Sequence, residues 1–319
     1  VKVTLFGVRG SMPAPLRNKE YRDKMVETLS LFAQSKHAAT QDVAGFWKTL
    51  PPRLRHTAGG DTTCVGVQSN SDTNYVIDFG TGARTLGDSM VSKILAYKGE
   101  YILNIFITHT HWDHIQALPF FKPMYFPNVT LRFHSPYPDL DARLSRQMEK
   151  EFFPITFHAT SSKKEFILFE PGDVLKFEDD RVQVEVHPLK HPGNSYAYKF
   201  TEDKKVFIFA TDAEFTGEDL EYIRGIAPFF GMADLLVLDS QYTLDESFAK
   251  FDWGHTAYTM AVNIAHNWKV RNLALTHHEP AYNDEKVYGI WEDAVEHRNA
   301  LGASKLKIHL AREGMTFTL

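Results

Sequence analysis

The chain has one cysteine, Cys64, in 319 residues, so no internal disulfide can staple it, which fits a reducing compartment. It has no apolar run near the ~20 residues that cross a bilayer, and no basic segment followed by an apolar one at its N-terminus. The expected location is the cytoplasm, with no membrane partner; since the sequence starts at Val1, an earlier leader stays open. Neither sign of charge dominates, with 35 Lys and Arg against 40 Asp and Glu. A net charge of −5 provides no global field for a polyanion, which disfavours a large nucleic acid as partner. The 43% hydrophobic and 24% charged composition is that of an ordinary globular protein.

What the chain has in number is histidine, 15 in all. Three of them and one carboxylate crowd residues 109–114, after the apolar run 102–107, which reads as a buried strand. His109 and His111 are two apart, so at a strand end they point the same way and can grip one ion. Asp113 and His114 follow once the chain turns, and they suit a second ion beside the first.

This His-x-His-x-Asp-His segment resembles the signature of the metallo-β-lactamase superfamily. Four further stretches resemble the family in the family's order: Val76-Ile77-Asp78-Phe79-Gly80-Thr81-Gly82 before the signature, then His191, Asp212 in Ala-Thr-Asp, and His277 in Leu-Thr-His. The resemblance implies an α/β architecture, the αβ/βα four-layer sandwich, in one domain spanning 1–319. It also implies a first ion held by His109, His111 and His191, a second held by Asp113, His114 and His277, and Asp212 bridging both. The ions are two divalent cations; Zn2+ is expected, and Mn2+ or Fe suit the same ligands. Asp78 is expected to orient the histidine loop by hydrogen bonds and not to bind metal.

Elsewhere, residues 7–13 read as a glycine turn in which Arg9 either grips phosphate or pairs with a neighbour, the latter preferred. Residues 17–56 look like an insertion with helical spacing at Tyr21, Met25, Leu29 and Phe32. It is expected to be a lid or a homodimer contact, or else an inert elaboration. Helices are expected over 84–97, from His114 to Phe121, over 139–153, from the Gly254-His255-Thr256 segment onward, and over 284–301. Strands are expected at 129–134, 174–177, 182–186, 205–210, 233–238, 271–276 and 306–310. His134, His158 and His187 are expected to lie outside the metal set, and His278 and Glu279 to support it at most.

Gly254-His255-Thr256 resembles the Gly-His-Ser-Thr motif of tRNase Z and related phosphodiesterases. His255 and Thr256 are therefore expected to contact substrate, and His255 to protonate the leaving group with Asp239 orienting it; a capping or buried histidine is the alternative. Catalysis is assigned to Asp113, His255 and Asp239. A hydroxide shared by the two ions is the expected nucleophile. The function that follows is a phosphodiesterase acting on a small phosphodiester such as a cyclic nucleotide. The alternatives are an ester, lactone or thioester hydrolase, an RNA-processing endonuclease of the tRNase Z type, and a non-catalytic binding or sensor module.

Overall fold

Leu235, Leu236, Val237 and Leu238 are all apolar because their strand is covered on both faces, Leu235 and Val237 facing one core and Leu236 and Leu238 another. The same division recurs through both sheets of the computed structural model, which describes every residue except 179, 180, 251, 303 and 304. Strands β1 (Lys2–Gly7), β2 (Cys64–Gln68), β3 (Asn74–Ile77), β4 (Tyr101–Phe106), β5 (Val129–Ser135) and β6 (Lys163–Leu168) build the first sheet. Strands β7 (Val174–Phe177), β8 (Val182–Leu189), β9 (Ser195–Glu202), β10 (Lys205–Ala210), β11 (Leu235–Asp239), β12 (Asn272–Thr276) and β13 (Lys307–Leu310) build the second. The last strand, β14 (Thr316–Thr318), returns to pair with β1. The strand orders are β14-β1-β2-β3-β4-β5-β6 and β13-β12-β11-β10-β9-β8-β7. Each sheet is antiparallel toward one edge and parallel from β3 to β6 or from β10 to β13.

Between the sheets lies a core of Val3, Val65, Tyr75, Phe106, Tyr198, Phe200 and Phe207. Outside the first sheet, Leu103, Ile105 and Ile107 pack against Leu86, Met90 and Ile94 of α5 (Gly82–Ala96, following the insertion helices named below). Outside the second, Ile208 and Leu236 pack against Val262 and Ile264 of a helix at Tyr258–Asn267. Helix, sheet, sheet, helix is the four-layer sandwich. Among the described residues no helix is long and apolar enough to cross a membrane.

The insertion forms α1 (Asn18–Gln34), α2 (Lys36–Thr40), α3 (Val43–Thr49) and α4 (Pro52–Arg55). Its apolar spacing does make a helix, but α1 buries none of its residues, and Tyr21 and Leu29 are 58% and 59% exposed. Phe46, Leu50 and Leu54 form a small core of their own with Phe32. The unit is moored by Lys24, whose ammonium pairs with the buried Asp284 and donates to the His56 carbonyl at 3.1 Å.

Several boundaries differ from expectation. The helix expected over 114–121 is one turn, α6 (Trp112–Ile115), followed by two 3-10 turns whose second residues are Pro119 and Pro123; proline lacks the N–H a longer helix needs. The helix expected over 139–153 is α7 (Leu140–Gln147). Three helices complete the second half: α8 (Leu220–Gly225), α9 (Ala227–Phe230) and α10 (Leu244–Ala249). The helix expected to open at Gly254 begins three residues after His255, as α11 (Tyr258–Asn267), and the last helix is α12 (Asp284–Ala300). Strands β6 and β14 were not foreseen; both are sheet edges, and the two lysines that open β6 suit an edge that must not recruit another strand.

Candidate metal centre

Parallel strands deliver their carboxyl ends to one rim, and the chain turns sharply there. Asp78 after β3, Asp212 after β10 and His277 after β12 all adopt left-handed backbone, with φ of 60°, 56° and 63°. Such conformations are costly for residues with a Cβ and cluster where geometry is needed for function. The turn after β4 supplies His109, His111, Asp113 and His114, and the turn between β8 and β9 supplies His191.

All seven expected ligands converge. His109, His111, His191 and Asp212 each place one ligand atom within 4.8 Å of the others, and so do Asp113, His114, Asp212 and His277. Asp212 belongs to both sets, one oxygen to each. Its Oδ1 lies 3.7 Å from Nε2 of His109 and of His191, while its Oδ2 lies 3.0 and 3.2 Å from Nε2 of His114 and His277. Asp113 Oδ2 completes the second set, 3.2 Å from each of those nitrogens.

The ring nitrogens that face away are partnered. His114 Nδ1 contacts Asp78 Oδ2 at 2.8 Å, His191 Nδ1 the Gly254 carbonyl at 2.9 Å, His277 Nδ1 Gln241 Oε1 at 3.1 Å, and His109 Nδ1 the Thr108 hydroxyl at 3.1 Å. Acceptors there fix the tautomer that leaves Nε2 bare toward the centre. His111 is turned the other way: its Nδ1 stands 3.1 Å from His191 Nε2. Asp78 also accepts from the Thr108 N–H and hydroxyl at 2.8 and 2.7 Å, so it pins the histidine loop as expected of a group that orients and does not bind.

Divalent cations fit this cradle on a structural observation. Nε2 of His109 and of His114 and Oδ2 of Asp212 are buried without a hydrogen-bond partner, which is costly unless a cation satisfies them. Electrostatics agree. Burial pushes His109, His111 and His191 below the ordinary imidazole range, toward the neutral form a ligand requires. Burial also opposes charge on His114 and His277, but facing carboxylates overcome it, holding His114 well above its usual range and His277 at about 9. Asp113 and Asp212, despite burial, are held well below the usual carboxylate range by the imidazoles around them. A cation beside these carboxylates would take over the charge that those protons supply.

His255 borders the centre. Its Nδ1 donates to Asp239 Oδ2 at 2.8 Å, and its ring stacks 4.9 Å from that of His277. Asp239 is wholly buried and receives the N–H of Asp212 at 3.0 Å as well, tying the bridging residue to the same carboxylate. Thr256 is a correction: expected to touch substrate, it is fully buried, its hydroxyl donating to the Ala213 carbonyl and accepting from Phe215 N at 3.1 Å. It braces the loop after Asp212 instead. His278 and Glu279 are structural too, the first donating to the Ala311 carbonyl at 2.9 Å and the second accepting from Gln241 at 2.8 Å. Arg9 is consumed by the carbonyls of Gly59, Glu279 and Tyr282 at 2.8 to 3.2 Å, the pairing role preferred for it.

Sequence reasoning missed Ser11, whose N–H donates to Asp113 Oδ2 at 2.8 Å, and Gln241, the partner of His277. The glycine turn at 7–13 was the signal for Ser11; nothing local marked Gln241. Two cavities are lined by residues close in the chain to the ligands, and neither is lined by a ligand itself. One of about 440 Å³ lies between Met12, Arg17 and Glu20 at the start of the insertion and Glu279, Tyr282 and Asp284 after β12. The other, of about 380 Å³, lies against Thr110 and Trp112.

A sequence model of the family described as "Beta-lactamase superfamily domain" matches residues 73–278. Ribonuclease Z of Oceanobacillus iheyensis is 24% identical over 295 residues, a span covering 77% of this chain and 90% of that protein. Among solved structures, the fold is shared with unliganded yeast PDE1, at a TM-score of 0.63 and 15% identity over 100% of this chain and 99% of the other. It is shared likewise with the short form of human tRNase Z, at a TM-score of 0.60 and 17% identity over 100% and 99%.

Proposed function

This chain belongs to the β-lactamase superfamily whose domain it matches, and from that premise we propose that it is a dinuclear metal-dependent hydrolase of a small phosphodiester such as a cyclic nucleotide. The observation that carries the proposal is the division of Asp212, one oxygen toward each set of ligands, with three buried polar atoms that no protein group satisfies. His109, His111, His191 and Asp212 would hold one divalent ion, and Asp113, His114, His277 and Asp212 the other. When bound, the ions would supply Lewis acidity, acidifying water toward neutral pH and offsetting charge that grows on phosphorus. Zn2+ is the expected metal; Mn2+ or Fe suits the same nitrogen and oxygen ligands.

The chain's own contribution to bond cleavage is proton delivery. Asp239 fixes His255 through Nδ1 and leaves Nε2, without a partner among the described residues, to protonate a departing alkoxide. An alkoxide needs this proton and a thiolate does not, which sets this reading ahead of a thioester hydrolase; an ester or lactone also expels an alkoxide, and the substrate screen separates it. The cavity beside the insertion supports a role for 17–56 at the mouth of the site, as a wall of the substrate pocket. A second reading, an RNA-processing endonuclease of the tRNase Z type, is favoured by the relatives named Ribonuclease Z. The net charge of −5 favours the smaller substrate.

The test is metal analysis of purified protein with a substrate screen under controlled metal: cyclic nucleotides, linear dinucleotides, a tRNA precursor and acyl esters. Filling of both ligand sets, loss of metal in Asp212→Ala, and turnover of a cyclic nucleotide or dinucleotide are expected. Protein that binds no metal and keeps its activity in chelator would overturn the proposal, and cleavage of the tRNA precursor alone would establish the second reading.

A further inference from the structure

The short helix that carries Asp113 and His114 inward turns Trp112 outward: its indole is 73% exposed while Asp113, His114 and Ile115 are buried. Just past α7, Phe152 is 71% exposed. Two large rings in water at one rim are costly to maintain without a use. Both line the cavity of about 380 Å³, together with Thr110, Arg143, Arg146 and Gln147, within the roughly 300–1,000 Å³ typical of small-molecule sites.

Its polar lining is built. Arg143 is pinned by Asp139 at 2.9 Å and by the Thr110 hydroxyl at 3.2 Å, its guanidinium 4.2 Å over the ring of Tyr137. Gln147 donates its amide nitrogen to the Ile115 carbonyl at 2.8 Å, which can only accept, so Oε1 faces away; that oxygen has no partner. Arg146 is exposed and forms no ion pair among the described residues. The lining holds two guanidinium groups and no carboxylate, whereas the cavity beside the insertion presents Glu20, Glu279 and Asp284.

We propose that this cavity is a base-binding subsite that takes the purine or pyrimidine of a nucleotide substrate, stacked against Trp112 and Phe152, with Arg146 meeting the anionic end. The proposal deepens the phosphodiesterase reading and rests on it. Thr110 and Trp112 are direct chain neighbours of the ligands His109, His111 and Asp113, so the cavity adjoins the segment that carries them. Aromatic stacking suits the occupant because every base has a π-face, and guanidinium groups add attraction to both ring and phosphate.

The test is binding to the metal-loaded protein, read by calorimetry, of adenosine monophosphate against ribose 5-phosphate, which keeps the phosphate and lacks the base. Wild type should bind the nucleotide about tenfold more tightly, and Trp112→Ala and Phe152→Ala should each erase about tenfold of that affinity and leave ribose 5-phosphate unchanged. Phe152→Ala lies away from the ligand loop and guards against a misfolded Trp112 variant; Phe152→Tyr should restore binding. Equal affinity for the two ligands, or a Phe152→Ala protein that still prefers the nucleotide, overturns the subsite. The two readings can fail separately: nucleotide preference without phosphodiester turnover sinks the proposed activity alone, and turnover without that preference sinks the subsite alone.

Discussion

Adding one methyl group to Gly10 should empty half of the metal centre. A Cβ at this position would stand 2.4 Å from Nδ1 and 2.5 Å from Cε1 of His277, where ordinary contact begins at 3.4 Å. The Gly10 N–H donates to the His278 carbonyl at 3.0 Å, so the turn is tied to the very segment it would have to leave. The packed surroundings force ring and backbone apart by about 1 Å. Metal–nitrogen bonds tolerate about 0.2 Å, and His277 Nε2 already sits 3.2 Å from the carboxylates of Asp113 and Asp212, its partners in the second set. Gly10→Ala should thus weaken the ion held by Asp113, His114 and His277 by roughly 100-fold, about 3 kcal/mol. The ion held by His109, His111 and His191 should stay. Dialysis against graded chelator followed by metal analysis reads the difference. Gly289→Ala is the control: nothing lies within 4 Å of that Cβ, so both ions should remain and the helix should gain about 0.5–1 kcal/mol. A Gly10→Ala protein that keeps both ions as tightly as wild type, or loses both together, would refute this reasoning.

Removing the imidazole of His255 should slow hydrolysis of an alkyl phosphodiester by about 100-fold while barely affecting a nitrophenyl ester, whose leaving group needs no proton; equal losses would end its role as donor. His134, buried between Asn104 and Phe106 and 3.0 Å from the Asn104 oxygen, is pushed down to about 4, first by burial and then by Arg132. Below its unfolded value of ~6.5 the unfolded chain takes up a proton that the folded one refuses, so stability falls as pH drops from about 6.5 to 4. Between pH 7 and 5 this residue should cost wild type about 2 kcal/mol that His134→Gln does not lose; parallel urea midpoints for the two proteins would contradict it. Replacing residues 17–55 with a short linker should raise KM and leave bound metal intact, because the insertion lines a cavity without supplying a ligand; unchanged kinetics would show that segment to be inert.

The metal ligands were legible because their chemistry is rare and their local spacing strict. A strand end that reads His-x-His-x-Asp-His has few structural uses, and the turn conformations at Asp78, Asp212 and His277 follow directly after apolar runs that can only be buried strands. The insertion's helix was legible from its spacing, but the fate of its apolar stripe was not: period alone says which residues share a face, never whether a partner covers it. Thr256 was misassigned for a similar reason, since a hydroxyl beside His255 looks available until the carbonyl of Ala213 is seen to take it.

Taken by itself, the sequence determined the order and identity of the ligand-bearing turns, the alternation of strands and helices, and the absence of an internal disulfide. Only the tertiary structure decided which nitrogen each imidazole turns toward the centre, that one oxygen of Asp212 meets each set, that Ser11 holds the Asp113 carboxylate, and that Gln241 and the Gly254 carbonyl hold the rings of His277 and His191. The reason is physical. Chain spacing dictates direction over a few residues, whereas these contacts join groups up to 164 positions apart, brought together only when two twisted sheets bury their common core and aim their strand ends at one rim.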